Sequence, residues 1–262
     1  MKKLVLVLLG AVLLLALAPQ SGTWRWKTHW KIAEVAHKAI VEDPATPQSV
    51  KENLNWTLIN AGAVAPDRWR LAPYYTDKSH LATYAKERGK YWLRQARSAW
   101  GAGAYDNASY YLGIAAHYWA DLTTFAHHDN ARVYFENLYG SELGYTYWDE
   151  VHDHEEGQVY YYEPVKPDCI AGYASLDNYL DNYAEPGMNS LIDNIITPGG
   201  TQVGYENGLL FYWMDGRGTV SSWEYGDLEI RVGFPRDCEA SKQAVVVATH
   251  WIYNGWIRAL GP

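Results

Sequence analysis

Between residues 24 and 158, apolar side chains recur three and four positions apart, the spacing of one helix face. Trp24–Val41 places Ile32, Val35, Ala36, Ala39 and Ile40 on such a face, and Glu42–Asp43–Pro44 ends it. A second helix is expected over Pro47–Ala63, with Val50, Leu54, Leu58 and Ile59 inward and Gly62 near its end. Leu81–Gly101 is amphipathic, and its cations Lys86, Arg88, Lys90, Arg94 and Arg97 read as a solvated face. Gly101–Gly103 breaks the chain, and Asp106 or Asn107 is placed to cap the next helix. That helix, running through Tyr110–His128, is apolar on most sides (Leu112, Ile114, Ala115, Ala116, Trp119, Leu122) and is expected to be buried. Further helices are expected over Asn130–Tyr139 and Tyr147–Gln158. From Val159 to Asp237 the texture changes to Gly, Pro, Asn, Asp and aromatics. There Gln158–Tyr162, Leu209–Trp213 and Leu228–Val232 have strand character, with a helix or two near Ser175–Ile196. Cys238–Leu260 reads as a buried closing helix. The expected fold is mainly α, with a loop- and β-containing insert near residues 159–237.

Residues 1–23 alter the domain count. Lys2 and Lys3 precede an apolar run from Leu4 to Leu17, and a small, polar stretch follows to Thr23, the form of a signal peptide. The run is shorter than the roughly 20 residues that a membrane span needs. A secreted or extracytoplasmic chain is therefore expected, with residues 24–262 forming one domain. The net charge of −8 becomes more negative once the two leader lysines are removed. Such a chain is a poor binder of long nucleic acid through a basic surface, although bound metal ions would dominate their own surroundings. Aromatics are abundant, with 13 Trp and 22 Tyr against 4 Phe, and amphipathic rings suit wet clefts and interfaces as well as cores. In an exported chain Cys169 and Cys238 could form one disulfide; two cysteines alone make a poor zinc site.

The chemistry concentrates in the buried helix. His117 and Asp121 are four apart, so they share a face one turn apart, and His127 follows near the helix end. A carboxylate buried beside histidines is costly unless a cation or partner neutralises it. The plainer reading is a hydrogen-bonded core His–Asp pair. Other metal-capable residues lie near helix ends and turns: His29, Asp67 in a Pro-preceded loop, His80, and His152 with Glu156 at helical spacing. Mixed nitrogen and oxygen donors of this kind suit zinc, and their number exceeds the needs of one tetrahedral ion. His37 and His250 read as ordinary helix-face and core histidines, and His128 as a loop or supporting residue.

The combined spacing resembles the superfamily of zinc-dependent phospholipases C and S1/P1 nucleases. HxxxD followed six residues later by His is matched by His117, Asp121 and His127, within YYLGIAAHYWAD. Trp24 matches the family's first mature residue, whose amino group and carbonyl bind zinc together with a following His, here His29. Asp67 and His80 match the next two ligands, and His152–Glu156 matches the phospholipase form of the last motif. Arg132 stands where a competing placement around Glu136 would need His. The resemblance implies an all-helical domain holding two to three zinc ions. One would take Trp24, His29 and Asp121; a second Asp67, His80, His117 and the bridging Asp121; a third His127, His152 and Glu156.

It further implies a secreted phosphodiesterase of the phospholipase C type. A hydroxide between two ions would attack the glycerol-side phosphoester in line, with Asp67 orienting it or acting as base. A phospholipid or membrane surface is the implied partner, and no obligate protein partner is implied. The alternatives are an S1/P1-like nuclease acting on single-stranded nucleic acid, or a non-catalytic metal-binding surface protein whose cleft the insert blocks.

Overall fold

The computed structural model describes residues 26–68, 80–124, 127, 167, 169–194, 203–204, 210–211, 221–225, 228–232 and 239–261. The leader, and the helices expected over Asn130–Tyr139 and Tyr147–Gln158, lie outside them. The described part is mainly helical. Helix α1 (Trp26–Val41) leads to the short α2 (Gln48–Asn53), α3 (Trp56–Ala63) and the single turn α4 (Ala65–Arg68). The long helices α5 (Ala82–Gly101) and α6 (Tyr105–Thr123) follow. Later come α7 (Leu176–Tyr179), a wider π turn (Leu180–Ala184), α8 (Glu185–Asn194) and the closing helix α9 (Glu239–Leu260). Two antiparallel pairs lie between α8 and α9. Val203–Gly204 (β1) pairs with Leu210–Phe211 (β2), and Ser221–Tyr225 (β3) with Leu228–Val232 (β4), placing Trp223 opposite Ile230.

Helix α6 is the axle of the bundle. It packs on α3, α5, α9 and α1, and residues 112–123 along it are all buried. Its apolar faces explain the position: Leu112, Ile114, Trp119 and Leu122 are fully enclosed, so every neighbour finds an apolar surface. Trp251 and Trp256 of α9 are also fully enclosed. Burying a ring of that size contributes roughly 2–3 kcal/mol. Gly62 and Gly113 mark the closest crossing. A Cβ on Gly113 would lie 2.1 Å from the carbonyl oxygen of Ile59, and one on Gly62 2.1 Å from that of Tyr110, so only hydrogen lets α3 and α6 touch backbone to backbone.

Several boundaries differ from the pattern-based expectation. The segment expected as one helix over Pro47–Ala63 divides at Leu54–Asn55. Asn55 ends the first piece by capping the second: its side chain accepts from the Leu58 N–H, and its own N–H donates to Ser109 Oγ at 3.0 Å. The Pro-preceded loop expected at Asp67 is instead the helical turn α4, whose Pro66 fits a first helical turn. Neither Asp106 nor Asn107 caps α6, which begins at Tyr105. Asp106 Oδ1 instead accepts from the Asn55 amide at 3.2 Å.

The cations of α5 do not all face solvent. Lys90 is buried and donates to Glu185 at 2.5 Å; Lys86 donates to Asn189 at 2.7 Å. The α7–α8 segment packs over that side of α5 and supplies the acceptors. Arg258 is buried on α9 with carbonyls as acceptors: Ile170 at 2.6 Å, Tyr173 at 2.8 Å and Asn254 at 2.7 Å, with its guanidinium over the Tyr179 ring. It fastens residues 170–173 to the closing helix. Cys169 is exposed, and Cys238 lies outside the described residues.

Candidate metal centre

Asp121 sits on the last full turn of α6 with its side chain entirely enclosed. Four imidazoles face its carboxylate. His80 Nδ1 lies 2.7 Å from Oδ2 and His117 Nε2 3.3 Å from the same oxygen. His29 Nε2 is 3.3 Å and His127 Nε2 3.7 Å from Oδ1. Among the described residues no hydrogen bond to Oδ1 is made. An enclosed anionic oxygen with that surplus of lone-pair density, ringed by nitrogen donors, suits a borderline divalent cation.

Each donor reaches the centre for a local reason. His117 is one turn before Asp121 on α6, so the two share a face. His29 stands in the first turns of α1 on its buried side, with its ring stacked on His117 at a centroid distance of 3.9 Å. His80 is held just before α5, its ring edge-on to His117. Beyond the end of α6 at Thr123, the His127 N–H donates to the Thr124 carbonyl at 3.1 Å, and this bond accompanies the approach of His127 Nε2 to Asp121. Asp67, on α4, brings Oδ1 to 3.5 Å from His117 Nε2.

Two groups of donor atoms are compact, each lying within 4.8 Å of one another: His29, Asp67 and His117, and His80, His117 and Asp121. His117 belongs to both. In the expected partition His29 goes with Asp121 rather than with Asp67 and His117; it lies within reach of both groups. Trp24, His152 and Glu156 lie outside the described residues.

The charges are tightly interdependent. Burial pushes His117 toward the neutral form, but Asp121 and Asp67 outweigh it, and the imidazole is raised to about 9. Burial disfavours the Asp121 carboxylate, yet His117, His127 and His80 hold it well below the usual carboxylate range. His29 goes the other way: burial, reinforced by His117, drives it well below its ordinary value, toward neutral imidazole. A neutral His29 and an ionised Asp121 have the protonation a metal requires. At His117 a cation must displace a proton.

One contributor has no sequence signature. The carbonyl of Ala63 is 2.9 Å from His117 Nδ1, which must donate to it. The donation fixes the tautomer and leaves Nε2 facing the acids. No side chain announces this role; the only indirect signal is Gly113, one turn before His117, where a close helix crossing is possible. Among the described residues the remaining histidines, His37 and His250, have ordinary settings; His128 lies outside them. His37 is partly buried against Trp56, and His250, half-buried rather than a core residue, meets Tyr183 Oη at 3.1 Å.

No curated protein sequence matches the chain. Among solved structures it is similar to an alpha toxin from Clostridium absonum, with a TM-score of 0.48 and 17% identity, over 92% of this chain and 63% of that one. The chain thus spans less than two thirds of the toxin's length. A family described as zinc dependent phospholipase C matches residues 28–195, reaching beyond residue 158 through α7 and all of α8. The match takes in more than half of the sequence, including the whole cluster around Asp121, and the chain belongs to the zinc-dependent phospholipase C family.

Proposed function

We propose that this chain hydrolyses phospholipids at the glycerol-side phosphoester, releasing diacylglycerol and a phosphorylated head group. His29, Asp67, His80, His117, Asp121 and His127 would hold two to three zinc ions, joined by Trp24, His152 and Glu156. The observation that carries the reading is the enclosed Asp121 carboxylate facing four imidazoles at 2.7–3.7 Å. Family membership supplies zinc and the phosphoric ester.

Zinc, when bound, supplies Lewis-acid polarisation of phosphoryl oxygens and makes water more acidic. The chain's own residues divide the remaining work. Asp121 gathers the imidazoles. Ala63 holds His117 with one nitrogen facing the acids. Asp67 is the most exposed member of the described cluster, its side chain 13% accessible against 0–7% for the others. Both of its carboxylate oxygens are nevertheless enclosed, with Oδ1 3.5 Å from His117 Nε2, so the carboxylate would work inside the cluster, orienting the attacking water and receiving its proton. Residues 1–23 support export, which would bring the chain to lipid outside the cytoplasm.

The test is metal analysis of the mature protein together with turnover of phosphatidylcholine vesicles and of single-stranded DNA. Each assay is run with a chelator and after zinc is restored. Zinc-dependent release of diacylglycerol is expected. Cleavage of DNA alone would assign the nuclease chemistry instead. A fully loaded protein that turns over neither would be a metal-binding protein without this activity.

A further inference from the structure

Helix α5 turns two large rings to solvent. Tyr84 is 52% exposed and Tyr91 51%, the two most exposed large apolar side chains among the described residues. They are seven apart, so they share a helix face at about 10 Å separation. The opposite face, with Ala85, Gly89, Leu93 and Ala96, is buried in the bundle. Arg88 lies exposed between the tyrosines and makes no ion pair among the described residues. Its neighbours on the helix are engaged: Lys86 and Lys90 with Glu185, and Arg94 with Asp177. The chain as a whole is acidic, at −8, yet this helix has five cations against the single acid Glu87.

We propose that this outer face of α5, centred on Tyr84, Arg88 and Tyr91, docks on the surface of a phospholipid bilayer. A tyrosine ring places an apolar body and a polar tip at the boundary between acyl chains and head groups. A guanidinium between two such rings, without an ion pair among the described residues, would meet the lipid phosphates as its anion. No described helix is long and apolar enough to cross a membrane, so the contact is with the surface. Tyr84 lies in the first turn of α5, four residues after His80 of the candidate metal centre, so the proposed face starts close in sequence to that centre. The inference deepens the phospholipase reading and rests on it for the choice of a lipid partner.

The test compares native protein, the Tyr84→Ser/Tyr91→Ser double variant and Arg88→Gln. It measures co-sedimentation with phosphatidylcholine vesicles, with and without phosphatidylglycerol, and turnover of those vesicles and of monomeric dihexanoyl phosphatidylcholine. The double variant is expected to lose roughly tenfold or more in vesicle binding and vesicle turnover while hydrolysing the monomeric lipid at the native rate. Arg88→Gln is expected to lose about fivefold, mainly on vesicles containing phosphatidylglycerol and at low salt. Native-like vesicle binding by the double variant would overturn the proposal. So would a native protein that cleaves the monomeric lipid without binding vesicles, which leaves the phospholipase reading intact. A native protein that binds vesicles through the tyrosines and cleaves neither lipid would sink the phospholipase reading and keep the docking face. A change of oligomeric state in the double variant would reassign the face to protein contacts and overturn the proposal.

Discussion

His117 donates from Nδ1 to the Ala63 carbonyl, 2.9 Å away, while its Nε2 lies 3.3 Å from Asp121 and 3.5 Å from Asp67. One ring is thus anchored by backbone on one edge and shared by two acids on the other. The anchor depends on how closely α3 and α6 approach. Gly113→Ala should force a methyl group onto the Ile59 carbonyl and destabilise the fold by about 3 kcal/mol, read by chemical denaturation. The same change should weaken metal binding, whereas an alanine at the open Gly101, where nothing lies within 4 Å, should leave metal affinity unchanged.

Asp121 faces every described histidine of the centre. Asp121→Asn should therefore reduce metal content by more than one ion's worth and lower phospholipid turnover at least roughly 100-fold. Elemental analysis after dialysis, paired with initial rates, decides the matter. A variant that kept its metals and its rate would remove Asp121 from the assignment.

Zinc loading should release protons. In the metal-free chain the His117 imidazole is raised to about 9, so it is protonated at neutral pH, and a cation takes the proton's place. Titration calorimetry in buffers of different ionisation enthalpy should show proton release at neutral pH and weaker binding as pH falls. The stability effect has the opposite direction. A raised histidine adds to metal-free stability fully below its ordinary 6.5 and loses that contribution as pH rises through about 9. Metal-free protein should lose part of its denaturation midpoint over that interval, and zinc-loaded protein should not.

A second pH effect arises where α8 packs on α5. The hydrogen bond from Lys90 holds the Glu185 carboxyl below its ordinary 4.5, against the opposing effect of burial. A depressed carboxyl stabilises the fold above its unfolded value and stops doing so as pH falls through the folded one. Glu185→Gln should lower stability at neutral pH, with the gap to the native protein closing in acid below 4.5. Glu185→Ala should cost more, about 1–2 kcal/mol at neutral pH, because it leaves the Lys90 ammonium buried without its acceptor.

Sequence legibility followed the reach of local rules. The spacing of His117 and Asp121 on an apolar helix placed both on one face before any coordinates, because helical period is a local property. Bringing His29, Asp67 and His80 to the same point required the family resemblance, since nothing local relates residue 29 to residue 121. The split at Asn55 was hidden because the residue that caps α3 is supported by Ser109, distant in sequence. The inward turn of Lys90 was hidden for the same reason: its acceptor comes from Glu185. Backbone partners were the least legible of all, as Ala63 shows. A carbonyl has no letter in the sequence.

The imidazoles around Asp121 come from α1, from just before α5, from α6 itself and from the turn beyond it. A shorter piece of chain carries only part of this ring: residues 117–127 alone hold His117, Asp121 and His127, and His80 and His29 join only when α5 and α1 have packed on α6. If the cluster holds zinc as proposed, full loading would follow closure of the bundle, and a correctly filled centre would certify that the whole helical assembly has reached its final arrangement.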